Sequence, residues 1–74
     1  MRNLDAINGY VYRSSKPYPS EPRTVVYTPD PSRFEYHASG RWTVDGTSCY
    51  RVKVTPRTGT KRTPFYLFTT LPVA

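Results

Sequence analysis

His37 and Cys49 are the only imidazole and the only thiol in the chain. Brought into contact by the fold, they could form a nucleophile–base pair. Their surroundings argue against that chemistry. Cys49 lies in a run of strand-forming residues, away from any helix N-terminus or strained elbow, so its thiol reads as a small core hydrophobe. His37 ends the run Arg33–His37, where Arg33 and Glu35 share its face. The five acidic residues are scattered one by one and are poor material for a divalent ion site. The sequence holds no paired-carboxylate motif, metal-ligand spacing or glycine-rich phosphate loop. The expectation is a protein that binds and does not catalyse, with no cofactor and no metal.

Cations interleaved with rings are the more informative pattern. Tyr50-Arg51-Val52-Lys53 and the stretch Arg57, Lys61, Arg62, Phe65, Tyr66 set charges beside aromatics. Cations follow phosphates and rings stack on bases in single-stranded nucleic acid. Arg forks also grip carboxylates on an acidic protein face. No RNP1 pattern, GXXG loop or zinc knuckle is present. Two readings therefore stand: a module that docks on a larger protein machine, or a direct single-stranded RNA- or DNA-binding module. The candidate partner-binding residues are Arg41, Arg51, Lys53, Arg57, Lys61 and Arg62.

Charge supports either reading. Eleven Lys and Arg against five Asp and Glu give a net charge of +6 on 74 residues, with a sequence pI near 9.8. Such a body carries positive potential over most of its surface and attracts polyanions. Most of the cations are Arg, which favours bidentate contacts to phosphate or carboxylate. The bland alternative is that the charge only maintains solubility. A single cysteine cannot form an internal disulfide, which argues for a reducing compartment. The N-terminus lacks the apolar run of a secretory signal, and no stretch approaches a membrane span. The expectation is a cytoplasmic monomer with no membrane contact.

Positioning these residues falls to a small sheet. Arg41–Val54 reads as a β-hairpin, because Asp45-Gly46 is a strong turn signal flanked by β-prone residues. Tyr50, Val52 and Val54 alternate with Arg51 and Lys53. A two-residue loop would pair Val44 with Thr47 and Trp42 with Cys49. A three-residue loop, Val44-Asp45-Gly46 with Gly46 bulged, would pair Trp42 with Ser48. The second register gathers Trp42, Tyr50, Val52 and Val54 on one face and Arg41, Arg51 and Lys53 on the other. A slip of one residue decides which face is buried, and the expectation is the three-residue loop.

Elsewhere the chain reads as short strands. Thr24–Thr28 and Arg33–His37 flank the turn Pro29-Asp30-Pro31-Ser32, and Phe34 and Tyr36 share a face. Ala38-Ser39-Gly40 is expected to turn the chain. Residues 55–64 form a basic loop, and Phe65–Leu71 is a last strand, apolar on both faces. Tyr10–Tyr12 is an edge strand or an extended tail. Ser14–Arg23, with Pro17, Pro19 and Pro22, is a spacer or a docking peptide carrying Lys16, Tyr18 and Arg23. The expected fold is mainly β, a small antiparallel sheet of four or five short strands. The expected division places a flexible N-terminal tail and Pro-rich linker at residues 1–23 and a β domain at residues 24–74. Leu, Ile, Val and Phe supply less than about one-fifth of the chain, so aromatics must supply much of the core.

The opening MRNLDAINGY, the length, the proline-broken first third and the basic β-rich remainder resemble a family of very small transcription regulators from Xanthomonas-infecting bacteriophage. The resemblance implies a protein that binds host RNA polymerase at the N-terminal region of the β′ subunit, with the β flap nearby. It implies inhibition of σ-dependent initiation through σ displacement and antitermination near the RNA exit channel, a place where a basic module can meet both acidic protein surface and nascent RNA. It carries over no individual binding residue.

Overall fold

The computed structural model describes residues 4–70. A 3-10 turn, Leu4–Ile7, precedes five strands: β1 Gly9–Ser14, β2 Arg23–Tyr27, β3 Phe34–Val44, β4 Thr47–Pro56 and β5 Phe65–Thr69. All pairings are antiparallel, in the order β2-β1-β5-β4-β3. The expected mainly-β fold is what forms. Leu71, given above to the last strand, lies outside the described residues.

β5 occupies the centre, and its residues explain why. Leu67 and Phe68 are both fully buried, one on each face, so this strand needs cover on both sides. Leu67 sits opposite Arg13 of β1 and Val52 of β4. Around it Ile7, Val11, Phe34, Tyr36, Val52, Val54 and Phe65 form the main core. Val44, Cys49 and Phe68 form a smaller cluster on the opposite face, flanked by Tyr12 and Tyr66.

Rings close the main core. Four strand spacings would hold the edges of a flat sheet roughly 19 Å apart. Yet the hydroxyls of Tyr27 on edge strand β2 and Tyr36 on edge strand β3 are 2.7 Å apart. The sheet is therefore curled around its aromatic face. The Tyr36 hydroxyl also accepts from the Asp30 backbone N–H at 2.8 Å, anchoring the connection from β2 to β3. Burial first, then the hydrogen bond to Tyr36, pushes the Tyr27 phenol well above its ordinary pKa. The folded state thus keeps a proton that the unfolded chain releases from about pH 10. Stability is present below that pH and falls as pH rises above it. Urea unfolding in steps from about pH 9 to 11 should show that fall, and the Tyr27→Phe variant should show a shallower one.

Two expectations fail in the hairpin, for one reason. Val44 pairs with Thr47 and Trp42 with Cys49, so the loop has two residues, not three. Asp45 itself adopts a left-handed φ of 50°, followed by Gly46 at 79°. Aspartate tolerates this region, and two successive positive φ values make the turn whose twist matches a hairpin. The odd residue sits upstream instead. The β3–β4 register shifts between Ala38 and Arg41, with Gly40 at φ 88°. This bulge replaces the expected turn at Ala38-Ser39-Gly40, and β3 runs through it as one 11-residue strand. Phe34 and Tyr36 keep the face of Val52 and Val54, while Trp42 and Val44 move to the face of Cys49, Arg51 and Lys53. Gly46→Val should cost about 1–3 kcal/mol by forcing a β-branched residue into φ > 0, measurable as a lower urea midpoint at unchanged slope.

β1 is also corrected. It pairs with β2 on one side and β5 on the other, so Tyr10–Tyr12 belongs to an interior strand and not to an edge or a tail. Gly9–Ser14, placed above in the N-terminal tail, is thus a strand of the sheet, and the Leu4–Ile7 turn before it contributes Ile7 to the main core. The proline-rich stretch after β1 is a tethered loop. The buried Ser14 hydroxyl donates to the Tyr18 carbonyl at 2.9 Å and accepts from the Lys16 and Ser20 amides.

Candidate partner-binding surface

The bulge separates the cations expected to share one face. Arg41 pairs across the ladder with Tyr50 and lies on the face of the main core, its guanidinium 5.1 Å from the Tyr50 ring and bonded to the Ser48 hydroxyl at 2.9 Å. Arg51 and Lys53 point the other way. The common face of Arg41, Arg51 and Lys53 does not form.

Arg51 is committed to the fold. Its Nε donates to the Ser39 carbonyl at 2.7 Å, and Nη1 donates to the Pro17 carbonyl. The guanidinium lies 5.6 Å from the Trp42 ring and 5.8 Å from the Tyr66 ring. One side chain thus ties the bulge in β3 to the proline-rich loop. Arg57 does similar work at the start of the basic loop. It donates to the Pro31 carbonyl at 2.8 Å and to the Glu35 carboxylate at 3.3 Å, holding the β2–β3 connection.

Lys53, Lys61 and Arg62 are exposed, and none of the ion pairs among the described residues involves them. Lys53 projects from β4. Lys61 and Arg62 occupy a loop shaped by turn bonds from Thr60 N to the Arg57 carbonyl and from Arg62 N to the Thr60 carbonyl. All three are exposed cations, Lys53 on a strand and Lys61 and Arg62 on the loop that follows it.

His37 and Cys49 are not brought together. His37 pairs with Lys53, four residues along β4 from Cys49, a separation of roughly 13 Å. Burial pushes the Cys49 thiol pKa up, away from the reactive thiolate.

Sequence reasoning missed a second basic site. Arg13 and Arg23 are direct cross-strand partners at one end of the curled face. With Ser14, Ser15, Ser20, Glu21 and Val25 they line a cleft of about 330 Å³. Arg13 stacks 4.2 Å from the Phe65 ring centroid. Only pairing of Tyr10–Tyr12 with Thr24–Tyr27 would have exposed this site, and the prolines between them read as a break.

Compared with protein-family models, curated proteins and solved structures, the chain matches none.

Proposed function

We propose that this protein is a bacteriophage transcription regulator that docks on host RNA polymerase, inhibits σ-dependent initiation and promotes antitermination. The proposed contact lies at the N-terminal region of β′, near the RNA exit channel, with the β flap as a neighbouring surface. The resemblance of the opening sequence and of the basic β-rich remainder supplies the partner. The observation that carries the docking mode is that Lys53, Lys61 and Arg62 are exposed and make no ion pair among the described residues. Cations without internal partners lose little on being matched to carboxylates of another protein, and they raise the rate of encounter with an acidic surface. A small body held on the polymerase needs no catalytic group, because it acts by occupying ground that σ requires.

Retention of purified host RNA polymerase on the immobilised protein is the expected result, with retention falling as salt rises. A K61E/R62E variant should lose retention while keeping the wild-type circular dichroism spectrum. Failure of the wild type to hold polymerase at moderate salt removes the proposal.

A further inference from the structure

Arg13 and Arg23 face one another across β1 and β2. Like charges directly opposite in an antiparallel pair repel, and no ion pair among the described residues relieves either guanidinium. Neither donates a hydrogen bond to a backbone carbonyl, unlike Arg51 and Arg57. Arg13 lies over the Phe65 ring, and stacking of this kind fixes a guanidinium plane while leaving its N–H edge available. Both arginines line a cleft that Ser15 and Ser20 line as well. The opposing charge in the lining is Glu21, held at a left-handed φ of 51°, which an ordinary side chain adopts only under constraint.

We propose that this cleft binds a ribose-phosphate unit of single-stranded RNA. The arginine pair takes the phosphate oxygens bidentately, and the serine hydroxyls add donors. Glu21 makes the cleft unsuited to a bare polyanion but suited to a phosphate flanked by hydroxyl donors, because a carboxylate accepts from ribose hydroxyls. The 2′-hydroxyl is the group by which a site separates RNA from DNA. Tyr18 stands 47% exposed on the loop between Ser15 and Ser20, a free ring face of the kind on which bases stack. The site is distinct from Lys53, Lys61 and Arg62, and its test uses no polymerase, so its failure and that of polymerase docking are separately visible.

The test is titration of the full-length, 15N-labelled protein at low salt with oligouridylate, oligothymidylate and uridine monophosphate. Oligouridylate should shift the amides of Ser15, Ser20 and Glu21, and it should bind more tightly than oligothymidylate. Matching shifts with uridine monophosphate support the site and show that one nucleotide suffices; shifts with oligouridylate alone support it and assign the ligand to a chain. R23Q should weaken oligouridylate binding about tenfold, and E21Q should erase the preference over oligothymidylate. R13Q, which also disturbs the Phe65 contact, is read only if its spectrum remains dispersed, and R23Q decides otherwise. Equal affinity for the two oligonucleotides, unchanged binding by R23Q, or shifts confined to residues 57–64 would overturn the proposal.

Discussion

Leu67→Ala is expected to remove a large part of the stability of this domain. Leu67 is fully buried at the centre of β5, and both neighbouring strands pack on it. Deleting a buried leucine side chain costs about 2–5 kcal/mol, the larger values arising where the site cannot collapse. A sheet paired on both sides of β5 has little room to close the gap. The whole stability of a chain this size is roughly 4–11 kcal/mol. Thermal unfolding followed by circular dichroism should show Tm lowered by about 8 °C or more, or a chain unfolded at the outset. A Tm close to that of the wild type would mean that Leu67 is not at the centre of the core.

Arg51→Met has the next largest effect, and it separates two roles. Methionine preserves much of the aliphatic stem that lies among Trp42 and Tyr66, but it cannot bond the carbonyls of Ser39 and Pro17. Hydrogen bonds from charged groups contribute about 1.5–3 kcal/mol each when buried. Arg51 is only half-buried, which brings the expected loss to about 2–3 kcal/mol in all. The loop at residues 15–22 should lose its tether, so its amides should exchange faster with solvent than those of β5. If Arg51 were instead a partner contact, stability and exchange would stay at wild-type values and only binding would fall.

The difference between those outcomes marks how far the sequence could be read. Strand alternation at Val52-Lys53-Val54 and the two apolar faces of Phe65–Phe68 follow from period-two patterning, and the structure has both. The parity of the hairpin was not legible, because Asp45 and Gly46 permit both a two-residue and a three-residue loop. Gly40 supplies the odd residue, yet a glycine after Ala38-Ser39 reads as a turn as readily as a bulge. That single shift moved Arg41 away from Arg51 and Lys53. The roles of Arg51 and Arg57 were hidden for another reason. Their acceptors are carbonyls of Pro17 and Pro31, 34 and 26 residues away, and no local pattern encodes such contacts. The same distance in sequence concealed the pairing of Arg13 with Arg23, since three prolines stand between β1 and β2. What remained visible throughout was the excess of cations, which needs no topology to read.

Docking on polymerase through the unpaired cations is most directly tested by adding substoichiometric host core RNA polymerase to the 15N-labelled protein. The amide signals that broaden first should be those of Lys53, Lys61 and Arg62 and their chain neighbours, and raising the salt should restore them. Uniform broadening without residue preference, or none at all, would contradict docking through this surface.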